Sequence, residues 1–323
     1  EAQKTAPAVL YQLEVDFEDG THQIVASDGS ETCETSKIVF SDLFMGEKHD
    51  MTLPQAKKLQ TAVRDYGYKN LRVQPTDAIS VVEEFHPQRI FTAPNGDTII
   101  DFGQVIAGKT VANVDEPRGT EITLEHTEVL DRDGNYFDAM VAKQKDTYIS
   151  DGHSGVFDPA FTFHAFRYVR VTGISDIKAE NFKAVLLSTP KENAASFACD
   201  DKRFERLYKN IRYSQKNNMM SVPTDCPGRE KAGWTGDILI YAETAMLNEE
   251  MTPFLSSWID GLCADQQTDG VIPLISPFTK LYETVGKQTM APFGGTELTG
   301  IAGWSDAIIW VPYDMYTVTG NKD

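Results

Sequence analysis

The chain has 323 residues, and its hydrophobic fraction of 41% and charged fraction of 24% are typical of a globular protein with two or three domains. Its formal net charge of −18 argues against nucleic acid as a partner, because phosphate binding requires clustered Lys and Arg. No apolar run approaches the roughly 20 residues that cross a bilayer, so we expect no membrane partner and a neutral substrate.

The first third to half of the chain shows the period-two alternation of β-strands. In VLYQLEVDFEDGTHQIVAS apolar residues alternate with mostly polar neighbours, and Glu18-Asp19-Gly20 has the composition of a hairpin turn. Because one hairpin cannot bury its own apolar face, we expect these strands to belong to a larger sheet. Residues 51–78 break the alternation and are predicted to be a connector that contains a short helix.

Strand signals return at about residue 79. TIIDFGQ, GKTVANVDEPRGTEITLEHTEVL, KDTYIS and FRYVRVTGI alternate apolar and polar residues between Gly, Pro and Asp turns, which predicts an antiparallel sandwich. Asp131-Arg-Asp-Gly-Asn135 resembles the opening of a calcium loop, but the downstream Glu of an EF-hand is missing, which favours a polar turn. His164 alternates with aromatic residues on a predicted strand, which favours a structural role.

After about residue 193 the apolar period changes from 2 to 3.6, which predicts an all-α segment. Asp200 or Asp201 can cap the first helix, the second starts near Thr235, the third has Thr252 as its N-cap, and the fourth runs from about Ser305. The residues expected to face inward are Phe204, Leu207, Tyr208 and Ile211; Ile238, Tyr241, Ala242 and Ala245; Leu255, Trp258, Ile259 and Leu262; and Ala307, Trp310, Val311, Met315 and Val318.

The loop between the first two predicted helices, PTDCPGREKAGWTGD at residues 223–237, concentrates polar chemistry. Asp225, Glu230 and Asp237 share no helical or strand period. Neighbouring carboxylates repel one another and burial removes water, and both effects can keep one acid protonated near neutral pH. A protonated carboxyl beside an ionised one is what general-acid cleavage of a glycosidic bond requires.

Two interpretations of this loop remain open from residue types alone. In the first it is the acid corner of an active site, where Trp234 stacks on a sugar ring and Arg229 or Lys231 tunes the neighbouring acids. In the second it is a solvated acidic connector, and Trp234 is an anchor in the core.

Other candidate chemistry is weaker. Cys226 has no His near it in sequence and is interpreted as a packed thiol. The four cysteines form no CxxC pair, which argues against zinc, and no Gly-rich phosphate cradle is present, so we predict no metal and no cofactor. Trp304 and Asp306 begin a helix, where Asp306 favours the helix dipole, or both line an adjoining sugar site.

Taken with its neighbours, the loop resembles the signature of bacterial α-L-rhamnosidases, glycoside hydrolase family 78. That family carries a stretch close to Asp-Cys-Pro-x-Arg-(Asp)-Glu-x-x-Gly-Trp-Thr-Gly-Asp, and this sequence has DCPGREKAGWTGD, without the optional extra acid. VVEEFHP, DFGQVIAG, FTFHAFRYVRVTG, SFACDDKRFERLYKNIRYSQKNNMMSVPTDCP and GWSDAIIWVPYDMYTVTGN resemble family segments in the same order. The resemblance covers roughly residues 80–323, and residues 9–50 resemble the tail of an N-terminal carbohydrate-binding-like β domain.

This resemblance implies a multidomain β + α fold, in which antiparallel β-sandwich domains precede the first part of an (α/α)6 barrel catalytic domain. The implied divisions are the end of an N-terminal sandwich at 1–50, a connector at 51–78, a second sandwich at 79–192 and an incomplete barrel at 193–323. The barrel needs more helices than are predicted here, so we expect a fragment of a larger enzyme with little or no turnover alone. Its compartment and oligomeric state are left open.

The resemblance also implies roles. Glu230 matches the general acid, Asp225 and Asp237 match acids that bind rhamnose hydroxyls, Trp234 matches an aromatic of the rhamnose subsite, and Arg229 flanks the acid. The family inverts anomeric configuration, and its general base lies late in the barrel, beyond this sequence. The implied function is an exo-acting α-L-rhamnosidase that takes a rhamnoside as substrate and the remainder of the same domain as partner. The alternative is a non-catalytic carbohydrate-binding module derived from such a hydrolase.

Overall fold

The computed structural model describes residues 8–65, 67, 69, 71–138, 142–190, 193–279, 284 and 298–322. Their strands are β1 (Gln12–Asp16), β2 (His22–Ala26), β3 (Thr32–Glu34), β4 (Ile38–Asp42), β5 (Gly46–Asp50), β6 (Lys58–Gln60), β7 (Ser80–Phe85), β8 (Arg89–Thr92), β9 (Thr98–Val114), β10 (Glu121–Thr127), β11 (Lys145–Ile149), β12 (Gly155–Phe157), β13 (His164–Thr172), β14 (Phe182–Ser188), β15 (Met219–Met220) and β16 (Val222–Pro223). Their helices are α1 (Lys202–Asn217), α2 (Thr235–Asn248), α3 (Thr252–Ala264) and α4 (Ala307–Thr319), with a 3-10 turn at Ala179–Asn181.

The chain divides into two compact units. The smaller comprises Glu1–Lys37 and Leu53–Arg72, and the larger comprises Ile38–Thr52 and Val73–Asp323. The predicted boundary at residue 50 does not coincide with this division. Residues 38–52 belong to the larger unit because β5 pairs with β11 in its sheet.

The smaller unit contains the predicted hairpin. β1 pairs antiparallel with β2, and Gly20 adopts a φ of +83° in the turn, so the hairpin is confirmed. The expectation of a larger sheet is wrong, because β1 and β2 form a two-stranded sheet and Leu13 and Ile24 are exposed. Alternation specifies a strand but not its partner. β6 lies within the predicted connector and pairs with β3, which precedes it. The described residues of 51–78 contain no helix, so the short helix predicted there is absent from them.

The larger unit is built on one curled sheet with the strand order β4-β5-β11-β10-β13-β9-β14-β7. Every pair is antiparallel except β5–β11. The sheet curls because β9, which is 17 residues long, pairs with β8 and β13 at its start and with β14 and β12 at its end. One apolar core packs against this curled sheet, which is called the sandwich below, and it includes Ile100, Phe102, Ile106, Ile122, Leu124, Phe166 and Leu186.

The helices follow this sheet, so the predicted order of β first and then α is confirmed. Asp201 caps α1, since its side chain accepts from the N–H of Arg203. α2 starts at Thr235 as predicted. α3 starts at Thr252, one residue before the position that an N-cap at Thr252 predicts, because Met251 is the cap.

The predicted inner face of α1 is largely wrong. Phe204 and Leu207 are 57% and 53% exposed, whereas Gln215 and Asn217 are buried. These two amides are buried because they satisfy backbone groups of neighbouring elements: Asn217 accepts from the N–H of Ala107 at 2.8 Å. Gln215 donates to a carbonyl of α2 at 3.0 Å. The last turn of α1 therefore joins the sheet to α2 through polar contacts.

The other three helices share a second apolar core, and α4 packs against α2 and α3. Trp310 and Val318 are exposed, contrary to prediction, because α4 buries only the stripe that contains Ala307 and Val311. The buried members of this core are Met219, Ile238, Ala242, Ala245, Met246, Met251, Phe254, Leu255, Trp258, Leu262, Ile272, Ala307 and Val311.

Two smaller features complete the fold. Asp131 accepts from the backbone N–H groups of Asp133 and Asn135, so residues 131–135 form the predicted polar turn. In the part of the chain that the structure describes, every helix is too short or too polar to span a bilayer.

Candidate active site

The loop at residues 223–237 runs from β16 to the first turn of α2 and is irregular, as its composition predicts. It folds back on itself. The N–H of Asp225 donates to the carbonyl of Ala232 at 3.0 Å, and the N–H of Ala232 donates to Asp225 Oδ1 at 3.2 Å. Within this closure the N–H of Lys231 donates to the carbonyl of Cys226 at 3.2 Å. These bonds define a compact bend rather than an open connector.

The C-terminal half of the loop is attached to the segment before the cis Ser276–Pro277 bond. Thr235 donates to the carbonyl of Leu274 from both its backbone N–H and its hydroxyl, at 2.8 and 3.1 Å. The N–H of Ser276 donates to the carbonyl of Gly233 at 2.9 Å. A Cβ at Gly233 would lie 2.0 Å from the Ser276 carbonyl oxygen, so this approach requires glycine. The start of α2 is thereby fixed.

Glu230 has both carboxylate oxygens held by its neighbours. Arg229 donates to Oε1 from Nε and Nη2, at 3.0 and 2.6 Å, and the indole Nε1 of Trp234 donates to Oε2 at 3.0 Å. The Glu230 side chain remains 36% exposed. An oriented carboxylate that faces solvent is available to a ligand that approaches the loop.

The two aspartates lie close enough to influence each other and Glu230. Partial loss of water around its carboxylate raises the pKa of Asp237, and the negative charges of Asp225 and Glu230 raise it further. Asp237 remains accessible to solvent in the first turn of α2. The structure therefore brings together the three acids that the sequence motif singles out.

A cavity of about 360 Å³ opens beside the two aspartates, which is within the size range of small-molecule sites. Glu230 and Trp234 are not among its lining residues, so the Glu230 carboxylate lies outside the cavity wall. The lining residues are Ser214, Gln215, Asn218, Met219, Pro223, Thr224, Asp225, Asp237, Ile238, Ile240 and Tyr241.

Trp304 and Asp306 differ in their placement. The indole of Trp304 lies against Gly236, where an added Cβ would come within 2.7 Å of its Nε1. Asp306 instead accepts from the N–H of Gly303 at 2.9 Å, within the turn before α4. Among the described residues no hydrogen bond or ion pair joins Asp306 to the three acids. The structure thus brings Trp304, but not Asp306, to the acid loop.

Cys226 serves the loop as a hydrogen-bond acceptor. Its Sγ accepts from the N–H of Glu230 at 3.3 Å. Burial raises the pKa of the Cys226 thiol, and the adjacent Asp225 raises it further. The thiol is therefore neutral at physiological pH, which agrees with its interpretation as a packed group.

A buried polar cluster in the sandwich has the spacing of a metal site, and it contains His126, Asp146 and His164. His164 Nε2 contacts both carboxylate oxygens of Asp146 at 3.0 Å. Both ring nitrogens of His126 are already engaged, by the carbonyl of Gln144 and the hydroxyl of Thr110. The two imidazoles stack at 4.4 Å, so their in-plane lone pairs run side by side and do not converge. This arrangement fits a structural hydrogen-bond cluster better than a metal centre.

The sequence predicts Lys231 only as a charge near the acids, but in the structure its side chain lies elsewhere. Lys231 is 8% exposed, and its Nζ donates to the carbonyls of Leu43 and Phe163. Both acceptors lie in the sandwich, far from the loop in sequence. No periodicity could reveal this contact, because it depends on a single residue with a φ of +49°.

Three family models match consecutive parts of the chain. They are the α-L-rhamnosidase N-terminal domain at residues 1–91, the bacterial α-L-rhamnosidase concanavalin-like domain at 91–188, and the bacterial α-L-rhamnosidase six-hairpin glycosidase domain at 192–323. The matches follow the β-then-α order of the structure, and the third contains the acid loop.

Individual relatives carry the same name. An α-L-rhamnosidase of Streptomyces avermitilis is 31% identical in an alignment 332 residues long. This alignment covers 98% of this chain and 31% of the relative. The crystal structure of Streptomyces avermitilis α-L-rhamnosidase complexed with L-rhamnose superposes with a TM-score of 0.83 at 30% identity, covering 97% of this chain and 30% of that one. The α-L-rhamnosidase of Aspergillus terreus superposes with a TM-score of 0.82 at 27% identity, covering 97% and 37%. The chain thus spans about a third of the length of these relatives.

Replacing Gly236 by Ala tests the packing of Trp304 on the acid loop. The new methyl group would clash with the indole, so we expect a lower melting temperature and a changed fluorescence of Trp304. Gly261→Ala is the matched control, because Gly261 also lies in a helix but has only one side-chain atom within 4 Å of the added group, at 3.9 Å. This control should be neutral or more stable, by about 1 kcal/mol. Equal melting temperatures for the two variants would contradict the packing.

Replacing Asp237 by Asn removes a carboxylate whose pKa is raised in the folded protein. Below its ordinary pKa of 3.8 the group is protonated in both folded and unfolded chains and contributes nothing. As the pH rises, the unfolded chain releases its proton first, so the native protein loses stability. We expect Asp237→Asn to be more stable than wild type at pH 7 and equal to it at about pH 2.5, well below the ordinary pKa of 3.8. Urea unfolding at both pH values measures this, and a difference independent of pH would contradict it.

Proposed function

The chain belongs to the bacterial α-L-rhamnosidases, and from this membership we propose that the full-length protein removes terminal α-L-rhamnose from glycosides or polysaccharides. Glu230 is the general acid that protonates the leaving glycosidic oxygen. Asp225 and Asp237 bind rhamnose hydroxyls beside it. The L-rhamnose bound in the Streptomyces avermitilis structure supports rhamnose as the sugar that is removed, since the superposition with that enzyme covers 97% of this chain.

The observation that carries the proposal is the orientation of the Glu230 carboxylate. Trp234 Nε1 and the Arg229 guanidinium hold its two oxygens, and the side chain still faces solvent beside two further acids. An ion-paired carboxylate has no proton to donate. The acid role therefore requires Arg229 to release Oε1 and Glu230 to take up a proton from solvent before the glycosidic bond breaks, while Trp234 keeps the carboxyl aligned. Reorganisation of this kind is common when a catalytic group meets its substrate.

The reaction proposed is hydrolysis with inversion. As the proton of Glu230 passes to the leaving oxygen, a water molecule attacks the anomeric carbon from the opposite face of the ring. That water needs a second carboxylate, about 6.5–9.5 Å from the acid in inverting enzymes. We assign no residue of this chain as that base, and we place it in the remainder of the catalytic domain.

The substrate-binding side of the proposal rests on Asp225, Asp237 and Trp304. Ionised carboxylates accept hydrogen bonds from sugar hydroxyls, and charge-assisted bonds of this kind are the stronger ones. The exposed face of Trp304 adds an apolar surface against which a sugar ring can pack. Asp306 remains a proposed lining residue, although its carboxylate is held in its own turn.

Replacing Glu230 by Gln in the full-length protein tests the general acid. Methyl α-L-rhamnoside has a poor leaving group and needs the proton, so its kcat should fall by about 10²–10⁴. 4-Nitrophenyl α-L-rhamnoside leaves without much help and should lose far less. Glu243→Gln, an exposed acid on α2, is the matched control and should leave both rates unchanged.

The anomer of rhamnose that forms first, followed by ¹H NMR, tests inversion in the wild-type protein. An unchanged rate for Glu230→Gln on both substrates would contradict the role of Glu230. Binding of rhamnose without turnover by the wild-type protein would instead favour the alternative, a carbohydrate-binding module derived from a hydrolase.

A further inference from the structure

Lys231 follows Glu230 directly but points the opposite way. Glu230 is 36% exposed on the loop surface, whereas Lys231 is 8% exposed. The positive φ of Lys231 produces this reversal, since a left-handed residue turns the chain sharply. Such a backbone is uncommon for a residue other than Gly and persists only where its surroundings hold it. The orientation of Glu230 is therefore coupled to whatever holds Lys231.

The buried ammonium of Lys231 is held by the sandwich. Nζ donates to the carbonyls of Leu43 and Phe163, both at 2.5 Å, and lies 4.1 Å from the centre of the Phe163 ring. The Phe44 ring lies on another side at 5.5 Å. In its protonated form Lys231 makes charge-assisted hydrogen bonds, which are about twice as strong as neutral ones, and the cation gains further from an aromatic face. Lys231 is thus tied to two separate segments of the sandwich.

These two segments adjoin strands of the same sheet. Leu43 lies in the turn between β4 and β5, and Phe163 immediately precedes β13. The strand β13 begins with His164, whose Nε2 contacts Asp146, and Asp146 in turn accepts from the N–H of Glu47 on β5 at 2.9 Å. A buried contact between His164 and Asp146 therefore links the two segments that hold the lysine. The position of Nζ is set by the sheet rather than by the loop.

Burying a lysine ammonium in this place carries a desolvation cost. Burial lowers the pKa of Lys231 to about 7, although the nearby carboxylates of Asp146 and Asp42 act in the opposite direction. No described carboxylate lies within ion-pair distance of Nζ. An apolar side chain of similar length would avoid this desolvation. The two carbonyl bonds and the Phe163 ring offset part of this cost, and they fix where Nζ lies.

We propose that Lys231 is a positioning residue for the general acid: its two bonds to the sandwich set where the Glu230 carboxyl meets the glycosidic oxygen. The inference rests on the proposed function, because it assigns to the sandwich a part in the reaction of the helical domain. Lys231 itself touches no substrate. It holds the bend of residues 226–231 in place, and thereby keeps the Glu230 carboxyl at the position that proton transfer requires.

The leaving-group dependence of the rate separates positioning from simple stabilisation. A misplacement of about 1 Å can cost about 10²-fold in rate, and here the loss falls on proton donation alone. In Lys231→Met full-length protein we expect kcat for methyl α-L-rhamnoside to fall about 10-fold or more, and kcat for 4-nitrophenyl α-L-rhamnoside to fall less than about 3-fold, as positioning predicts. A purely structural role lowers both rates by the same factor, since it lowers only the fraction of folded enzyme.

Lys109→Met is the matched control, because Lys109 also donates to a sandwich carbonyl, that of Pro159, at 2.6 Å, but does not contact the acid loop. It should change neither rate. Should Lys231→Met fail to fold, Phe163→Leu removes the ring beside the ammonium without leaving a buried charge unbonded. It should show the same unequal loss, but smaller.

The outcomes separate the two claims. An equal loss on both substrates, or no loss, in the folded lysine or phenylalanine variant overturns the positioning role. If Glu230→Gln shows the unequal loss and the Lys231 variant does not, the role of Glu230 as general acid is supported and only the positioning role of Lys231 is wrong. If Glu230→Gln itself shows no loss, the proposed function fails first.

Discussion

The bend at residues 226–231 is held from two sides, and the arrangement of the acids depends on it. On one side the Lys231 ammonium donates to two carbonyls of the sandwich. On the other side, Thr235 at the start of α2 and Gly233 just before it form hydrogen bonds with residues 274 and 276. Between these attachments the chain has little freedom, since the N–H groups of both Glu230 and Lys231 bond back to Cys226. The acid is therefore positioned by contacts distant in sequence rather than by the helix that follows it.

The same constraint brings like charges together, which is unfavourable in the folded state. The pKa of Asp237 is raised partly because Asp225 and Glu230 lie near it, so at neutral pH its ionised form opposes folding. The Arg229 guanidinium compensates one of the three charges through its ion pair with Glu230. Active sites commonly keep such groups at the expense of stability, because binding and proton transfer need them. A sugar whose hydroxyls donate to the aspartates would relieve part of the repulsion.

Local patterns predicted local structure well. The hairpin at Gly20, the cap at Asp201, the start of α2 and the inner face of α3 are all encoded within a few neighbouring residues. The predictions that failed required knowledge of a partner. Within the described residues β1 and β2 pair only with each other, and the apolar stripe of α1 is exposed while Gln215 and Asn217 are buried. Periodicity records which residues share a face but not what that face meets.

The candidate site shows the same division. The motif predicted that the three acids, Arg229 and Trp234 belong together, and the structure brings them within one loop. It could not predict that Trp234 donates to Glu230, or that Lys231 reaches the sandwich, because both depend on backbone angles within an irregular bend. The prediction for Asp306 has gained no contact in support. Trp304 joined the site through Gly236, where the absence of a side chain is the only sequence signal.

The most direct measurement is a crystal structure of the full-length Glu230→Gln protein with an uncleaved α-L-rhamnoside bound. The account predicts that the side-chain amide introduced at position 230 lies about 2.6–3.2 Å from the glycosidic oxygen, within hydrogen-bond reach. The rhamnose hydroxyls should meanwhile contact Asp225 and Asp237. A rhamnoside bound elsewhere, or a glycosidic oxygen beyond hydrogen-bond reach of residue 230, would contradict it.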